Sequence, residues 1–292
     1  MARFGRVITA MVTPFDDKGA LDLDAAATLA DWLVNNGSDG LVLCGTTGES
    51  PVLNDSEEVA LTRAVRSTVS VPLLLGTGSN DTAYAVEATR RSAELGVDGV
   101  LLVTPYYNRP PQAGLDAHFR TVAAATELPV VLYDIPARTG RKIDTDVMLR
   151  LLSEVPNIVG VKDAAGDPAE SARLVSEAPS GTELYSGDDA LTLPLLAVGA
   201  VGAISVASHW AGRQIGDMIE AFDQGDTRRA AWINAGLIAS YDFESSLAAP
   251  NPIPTKAMLR VLGLPVGQCR LPLGPAPAGL EDQAREVLAA LN

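Results

Sequence analysis

Lys162 stands at the end of a short apolar run, just before the chain turns. The run contains the β-branched Val159 and Val161, and Gly166 and Asp167 follow it, a pattern typical of a buried strand and a turn. A lysine there is costly unless it has a partner or a chemical role, because burial disfavours the ammonium and lowers the pKa of the amine. A neutral amine attacks a ketone to form a Schiff base. Lys162 is therefore a candidate nucleophile; the alternative is a lysine whose stem covers apolar surface while its ammonium reaches water.

Two threonines form a second candidate group, in the stretch Gly45-Thr46-Thr47-Gly48 that follows another strand-like run. The glycines allow a tight turn, which leaves backbone N–H groups and the hydroxyls of Thr46 and Thr47 available to a carboxylate. The alternative is a plain turn with a hydroxyl cap.

Tyr133 and Arg138 form a third group. Tyr133 lies in the fifth predicted strand, one strand away from Lys162, and Arg138 follows in a loop. An arginine can bind a carboxylate through two parallel hydrogen bonds. The alternatives are a core tyrosine and a surface arginine.

Close approach of the backbone to a ligand is expected where glycine follows or enters the last two predicted strands, at Gly187 and at Gly202-Ala203-Ile204. Tyr106 and Tyr107 follow the fourth strand, and core packing is the default expectation for them. Together, the lysine, tyrosine, threonines and arginine make a coherent site. It would bind a 2-oxo acid by its carboxylate, form an imine with the lysine and use the strand tyrosine to move protons.

Eight alternating strand-like and helix-like segments must position these side chains. The predicted strands are Val7–Val12, Gly40–Leu43, Pro72–Leu75, Gly99–Val103, Pro129–Asp134, Asn157–Lys162, Glu183–Ser186 and Val201–Val206. This count predicts an α/β fold of the (β/α)8 TIM barrel type, in which the chemistry lies at the carboxyl ends of the strands. A doubly wound sheet is the competing architecture, but no G-x-G-x-x-G follows the first strand.

The sequence predicts two regions. Residues 1–225 would form the barrel catalytic domain, and residues 226–292, rich in alanine and leucine, would form a C-terminal helical segment interrupted by Pro250, Pro252 and Pro254. That segment could cover the barrel or contribute to an assembly.

Charge and composition exclude several classes of partner. Lys plus Arg number 22 and Asp plus Glu 36, so the net charge of −14 repels nucleic acid and anionic membrane surfaces. No apolar run approaches the roughly 18 residues of a membrane helix, and the N-terminus lacks a signal-peptide pattern. We therefore expect a cytoplasmic protein of 292 residues that binds neither nucleic acid nor membrane.

The cysteines and histidines are isolated, at Cys44, Cys269, His118 and His209. Their spacing fits neither a disulfide framework nor a metal site. Packing or ordinary surface positions are expected for all four, and the sequence predicts no metal.

Several stretches, in this order, resemble the pyruvate-dependent class I aldolases related to N-acetylneuraminate lyase. They are Thr9-Ala10-Met11-Val12-Thr13-Pro14-Phe15, Gly45-Thr46-Thr47-Gly48-Glu49, Thr104-Pro105-Tyr106-Tyr107-Asn108, Tyr133-Asp134-Ile135-Pro136-Ala137-Arg138-Thr139-Gly140, Gly160-Val161-Lys162-Asp163 and Asn251-Pro252-Ile253-Pro254-Thr255-Lys256. The resemblance runs nearly end to end. It is nearest to the branch of this family that serves lysine biosynthesis.

The resemblance implies a reaction. Lys162 would form the Schiff base with pyruvate, and the resulting enamine would add to the aldehyde of L-aspartate 4-semialdehyde, without a metal or organic cofactor. Thr46 and Thr47 would hold the pyruvate carboxylate, and Arg138 would bind the carboxylate of the semialdehyde.

The resemblance also implies an assembly. Tyr133, Thr46 and Tyr107 would form a proton relay, with Tyr107 reaching in from a neighbouring subunit of a homotetramer built as a dimer of dimers. Gly187 and Ile204 would line the pyruvate pocket through backbone groups.

Two positions depart from the family pattern. Asp134 stands where asparagine is frequent, beside Tyr133, and its carboxylate could change the pKa of that tyrosine or the hold on Arg138. Tyr84 stands where lysine-inhibited relatives carry a glutamate that pairs with the ammonium of the inhibitor. The sequence therefore predicts weak or absent inhibition by lysine.

Two other functions stay open. Sibling aldolases of the N-acetylneuraminate lyase or 2-keto-3-deoxy sugar acid type share the lysine and the tyrosine, although Thr46, Thr47 and Arg138 favour the semialdehyde. A non-catalytic sensor of 2-oxo acids is the alternative from another class, since a fold does not fix a function.

Overall fold

The strands of the chain close a barrel. In the computed structural model, which describes residues 2–291, eight parallel strands follow one another in sequence order around the barrel. They are β1 Val7–Ala10, β2 Gly40–Leu43, β3 Leu73–Gly76, β4 Gly99–Val103, β5 Val130–Asp134, β6 Ile158–Asp163, β7 Glu183–Ser186 and β8 Gly202–Ser205. The predicted (β/α)8 TIM barrel is confirmed, and the doubly wound sheet is wrong.

Helices follow the strands. They are α1 Leu23–Asn35, α2 Asp55–Thr68, α3 Thr82–Ser92, α4 Gln112–Ala123, α5 Pro136–Thr139, α6 Thr145–Glu154, α7 Pro168–Glu177, α8 Thr192–Ala197, α9 Ser208–Asp223, α10 Thr227–Phe243, α11 Ile253–Val261 and α12 Leu280–Leu291. Side chains fix several starts: Asp22 accepts the Ala25 N–H, and Asn54 forms a reciprocal capping box with Glu57. Within residues 2–291, no helix is long and apolar enough to cross a membrane.

Two predicted segments differ in detail. The sequence predicts one helix from Asp188 to Val198 after the seventh strand, but a 3₁₀ turn at Asp189–Leu191 precedes α8 in the structure. The Leu191 N–H donates to the Asp188 carbonyl three residues back, which is the tighter 3₁₀ spacing. Strand β6 extends one residue further than predicted, because Asp163 still pairs in register with Asp134 and Ser186.

One compact unit comprises Leu73–Ile204 and the N-terminal residues up to Phe4. Alternate residues of its strands, such as Leu102, Leu132 and Val161, pack in one hydrophobic core with Leu115, Phe119 and Leu151 of the covering helices. Because successive side chains of a strand point to opposite faces, the residues between them point away from the helices, into the barrel.

The other compact unit comprises Gly5–Pro72 and the residues from Ser205 onward. Strands β1 and β2 pair in parallel here. Helices α9 and α10 pack together, and the Trp210 indole on α9 donates to the Ser240 hydroxyl on α10 at 2.9 Å. The C-terminal region is helical, in α10, α11 and α12; a domain boundary at residue 225 stays a prediction.

Candidate active site

Lys162 is a buried side chain on β6, with 5% of its surface exposed. It lies in register with Tyr133 on β5 and Tyr185 on β7. Val161 and Leu132 belong to the core between strands and helices, so strand alternation directs Lys162 and Tyr133 into the barrel. The Lys162 Nζ lies 4.2 Å from the centre of the Tyr133 ring. This burial favours the candidate nucleophile over the alternative of an ammonium that reaches water.

Gly187 lies directly after β7 and against the stem of Lys162. A Cβ atom at this position would lie 2.9 Å from both Cγ and Cε of Lys162, and the Gly187 N–H donates to the Asp163 carbonyl at 2.7 Å. Only glycine allows this approach without displacing the lysine. Ile204 is buried on β8, two residues after Gly202, which lies in register with Tyr185. Gly187 is thus in contact with the candidate nucleophile.

Arg138 is exposed on the one-turn helix α5, Pro136–Thr139, where the sequence predicted a loop. The Arg138 N–H donates to the Ile135 carbonyl at 3.0 Å. The buried Thr139 hydroxyl contacts the carbonyl oxygens of Ile135 and Arg141 at 3.1 and 2.8 Å. These bonds tie α5 to the end of β5, so Arg138 has a defined base five residues beyond Tyr133.

Asp134 fastens the other end of this segment. Its carboxylate is buried, and Oδ1 accepts the Ile143 N–H at 3.1 Å. Lys142 Nζ lies 4.0 Å from Oδ2. Burial raises the pKa of Asp134 to about 7, although the Ile143 N–H and the Lys142 ammonium oppose this, and nearby Asp163 adds to it. The carboxylate therefore holds both ends of the segment that carries Arg138.

Tyr107 is 90% exposed, so the expectation of core packing is wrong for it. Its φ is 73°, and that of Arg109 is 47°, both in the left-handed region that non-glycine residues rarely occupy. The segment is tied to α5 and its C-terminal end: the Tyr107 N–H donates to the Thr139 carbonyl at 3.4 Å, and Arg109 Nε donates to the Gly140 carbonyl at 2.8 Å. Such strain persists only where neighbouring contacts hold it, as is common at functional sites.

Thr46 and Thr47 lie in the turn after β2, in the second compact unit. Thr46 is half-buried and Thr47 is buried. The Asn251 amide nitrogen donates to Thr47 Oγ1 at 2.9 Å, and the Thr13 hydroxyl donates to the Gly48 carbonyl at 2.6 Å. This turn is therefore anchored on both sides, which a plain surface turn would not need.

Glu49 ends the same turn and forms a buried ion pair. Its Oε1 lies 2.6 Å from Lys256 Nζ, and its Oε2 accepts the Arg270 N–H at 2.9 Å. Lys256 Nζ and the Arg270 guanidinium each lie over the Phe15 ring, 4.2 and 4.1 Å from its centre. Glu49 itself has a left-handed φ of 57°. The turn that carries the threonines is thus fixed by residues of the C-terminal region.

The isolated cysteines and histidines have structural positions, as expected. All four are buried, at Cys44, His118, His209 and Cys269. Burial lowers the pKa of His118 to about 4 and raises that of Cys269 to about 12. Among residues 2–291, no group of three or more acidic, histidine or cysteine side chains could hold a metal ion.

Sequence reasoning gave no role to Asn251, Glu49 or Lys256. All three lie in stretches that carry the family resemblance. The available signal was the pair of opposite charges, Glu49 and Lys256, inside such stretches, in a chain where charged residues make up 20%. Their pairing was not visible because more than 200 residues separate them.

The chain is similar to proteins of one family along its whole length. A model of the dihydrodipicolinate synthetase family matches residues 3–291. The 4-hydroxy-tetrahydrodipicolinate synthase of Moorella thermoacetica is 48% identical over 290 residues, covering 99% of this chain and 97% of that protein. The synthase of Thermosynechococcus vestitus is 50% identical over 295 residues, covering 100% and 99%.

Solved structures agree. The dihydrodipicolinate synthase of Bacillus anthracis matches with a TM-score of 0.96 and 43% identity, covering 100% of both chains. The enzyme of Cyanidioschyzon merolae, solved with lysine bound, matches with a TM-score of 0.95 and 47% identity, covering 99% of this chain and 98% of that one. The resemblance seen in the sequence is confirmed.

Proposed function

The chain belongs to the dihydrodipicolinate synthetase family, and we propose that Lys162 is the nucleophile with which it condenses pyruvate and L-aspartate 4-semialdehyde. The enzyme is a Schiff-base-forming lyase of the class I aldolase type. It makes 4-hydroxy-tetrahydrodipicolinate in the diaminopimelate route to lysine. A cytoplasmic location is part of the proposal.

The reaction follows from the chemistry of an amine and a ketone. The Lys162 amine attacks C2 of pyruvate, and loss of water gives the imine. Removal of a proton from C3 gives an enamine, whose carbon attacks the aldehyde carbon of the semialdehyde while the aldehyde oxygen takes up a proton. The amino group of the added chain then attacks the imine carbon, which closes the ring and releases the Lys162 amine.

The other site residues have proposed roles in these steps. Thr46 and Thr47 bind the pyruvate carboxylate, and Gly187 and Ile204 line the pyruvate pocket through backbone groups. Tyr133, Thr46 and Tyr107 carry protons to and from the reacting atoms. Arg138 binds the carboxylate of the semialdehyde through its planar fork.

One observation carries the proposal most directly. Lys162 is enclosed in the barrel with its Nζ over the Tyr133 ring, and Gly187 leaves the room that its stem requires. A buried lysine beside a tyrosine places an amine and a proton-transfer group together. It also stands near the carboxyl ends of β5 and β6, where barrel enzymes carry their active sites.

Trapping and turnover test the proposal together. Borohydride reduction in the presence of pyruvate is expected to add the reduced pyruvate adduct to Lys162, identified by peptide mass. Initial rates with pyruvate and semialdehyde, followed as NADPH oxidation through excess dihydrodipicolinate reductase, are expected to vanish in Lys162→Ala. Trapping without turnover would favour a sibling aldolase of sugar-derived aldehydes. Absence of any adduct would favour a sensor of 2-oxo acids.

A homotetramer, built as a dimer of dimers, belongs to the same proposal. The support is Tyr107, which is 90% exposed on a segment held in a strained conformation. An exposed aromatic that must carry protons needs a neighbouring subunit to enclose it. Light scattering across a dilution series gives the mass of the assembly, and assays of the same samples give the specific activity. The specific activity should fall as the assembly dissociates. Full activity of a monomer would contradict the assignment.

A further inference from the structure

Three buried side chains form a directional chain of hydrogen bonds that ends at Thr47. The Thr255 hydroxyl on α11 donates to Asn251 Oδ1 at 3.0 Å, and Asn251 Nδ2 donates to Thr47 Oγ1 at 2.9 Å. Thr255, Asn251 and Thr47 are exposed by 0%, 7% and 4% respectively. Water therefore has little access to any of these bonds.

The placement of the Asn251 amide sets the direction. An amide nitrogen only donates and an amide oxygen only accepts, whereas a hydroxyl does both. In the structure the Thr255 hydroxyl donates to the oxygen of the Asn251 amide, and the amide nitrogen faces Thr47. Thr47 Oγ1 is thus an acceptor towards Asn251. Its single hydrogen must be donated elsewhere.

We propose that Asn251 is a positioning residue that turns the Thr47 hydroxyl into a hydrogen-bond donor towards the carboxylate of the 2-oxo acid. A carboxylate only accepts hydrogen bonds, so a hydroxyl of fixed direction binds it better than one that can rotate. Asn251 does not touch the substrate in this scheme. The proposal rests on the proposed function, in which Thr47 holds the pyruvate carboxylate.

The turn around Thr47 is held firmly enough for such an orientation to matter. The Thr13 hydroxyl binds the Gly48 carbonyl at 2.6 Å, and Lys256 binds Glu49 at 2.6 Å. A Cβ atom at Gly48 would lie 3.2 Å from both the Cys44 nitrogen and the Met11 carbonyl oxygen. The turn cannot shift easily, so the hydrogen of Thr47 is left as the adjustable element.

A double-mutant cycle tests the proposal, with pyruvate as the probe. The measured quantity is the pyruvate concentration that gives half-maximal borohydride trapping on Lys162, in the native enzyme, Asn251→Ala, Thr47→Val and the double variant. We expect each single substitution to raise this concentration about ten- to a hundred-fold, the cost of roughly one hydrogen bond to a charged group. The double variant should need no more pyruvate for half-maximal trapping than the single variant that needs more, because Asn251 acts only through the Thr47 hydroxyl.

Steady-state kinetics separate positioning from general damage. In Asn251→Ala, the KM for pyruvate should rise while kcat and the KM for the semialdehyde stay within about three-fold, a change of less than one hydrogen bond. Thr255→Val should raise the pyruvate KM through loss of the amide's orientation, and Thr255→Ser should restore it. Asn35→Ala, an exposed asparagine on α1, is the control and should change nothing.

Two results would overturn the proposal, and they differ from failure of the proposed function. Multiplicative effects in the double variant would mean that Asn251 acts independently of Thr47. Unchanged pyruvate affinity in both Asn251→Ala and Thr255→Val would mean that the orientation is irrelevant. If the native enzyme itself traps no pyruvate on Lys162, the proposed function fails, and this inference fails with it.

Discussion

Glu49 and Lys256 form an ion pair of 2.6 Å in which both side chains are fully enclosed, with 1% and 0% of their surfaces exposed. Burial lowers the pKa of Lys256, and the Glu49 carboxylate opposes this. The pair joins the turn after β2 to helix α11, 207 residues apart. Removing one partner of such a pair leaves an uncompensated buried charge.

The first prediction concerns stability. Glu49→Gln and Lys256→Met should each lower the free energy of unfolding by about 3–5 kcal/mol, whereas Glu49→Leu combined with Lys256→Met should recover most of the loss. Urea titration of each variant measures its free energy of unfolding. The exposed pair Arg285 and Asp282 is the control, since Arg285→Met should cost less than about 1 kcal/mol. Equal losses in the single and paired variants would contradict the argument.

The second prediction concerns pH and Asp134. Its pKa is raised by burial from the ordinary value of 3.8 to about 7 in the native state. Between these two pH values the native state keeps a proton on Asp134 that the unfolded chain has released. The contribution of this proton to the free energy of unfolding is fully present below pH 3.8 and is lost as the pH rises through 7. The total change is on the order of 4 kcal/mol. Unfolding free energies of the native enzyme should therefore fall relative to Asp134→Asn between pH 4 and 7.5.

The control for Asp134 is Asp17→Asn, an exposed carboxyl near the N-terminus. Its pH profile should run parallel to that of the native enzyme. Parallel profiles for Asp134→Asn as well would show that the carboxyl does not titrate in this range.

The third prediction concerns substrate selection. Arg138→Lys should raise the KM for the semialdehyde about ten-fold or more and leave pyruvate trapping intact, because a point-charge ammonium cannot reproduce a bidentate fork. Arg90→Lys on α3, whose guanidinium pairs with exposed Glu87, is the matched control. Loss of pyruvate trapping in Arg138→Lys would show that this arginine serves pyruvate and that its assignment to the semialdehyde is wrong.

The fourth prediction concerns regulation. Tyr84, 41% exposed on α3, offers no carboxylate to pair with the ammonium of lysine. Initial rates should therefore change little with sub-millimolar lysine, and Tyr84→Glu should increase sensitivity. Glutamine is similar in size to glutamate but uncharged, so Tyr84→Gln should not increase the sensitivity to lysine. Strong inhibition of the native enzyme at these concentrations would sink the prediction.

The chemistry of the strand residues could be predicted because it follows from local pattern. Val161 and Leu132 mark the helix-facing side of β6 and β5, so the period of two places Lys162 and Tyr133 on the other side. Gly187 follows from another local signal, a glycine directly after the seventh predicted strand, where the backbone can approach closely. Each of these residues is read from fewer than ten neighbours in the sequence.

Other features depend on distances that the sequence does not encode locally. Helix α5 has four residues, too few for a helical period to appear, and so Arg138 was assigned to a loop. Core packing was only the default expectation for Tyr107, yet this residue is 90% exposed, on a segment that Arg109 ties to the Gly140 carbonyl. The bond from Asn251 to Thr47 spans 204 residues, and no period or motif spacing reports such a contact.

The anchoring of the turn after β2 by Asn251, Lys256 and the Arg270 N–H constrains how this enzyme can be rebuilt. A chimaera whose C-terminal helices lacked Asn251 or Lys256 would leave Thr47 or Glu49 without this buried partner. The turn Gly45–Glu49 and the segment from Asn251 to Arg270 therefore form one unit of exchange. Grafting either without the other would remove the contacts that hold this turn in place.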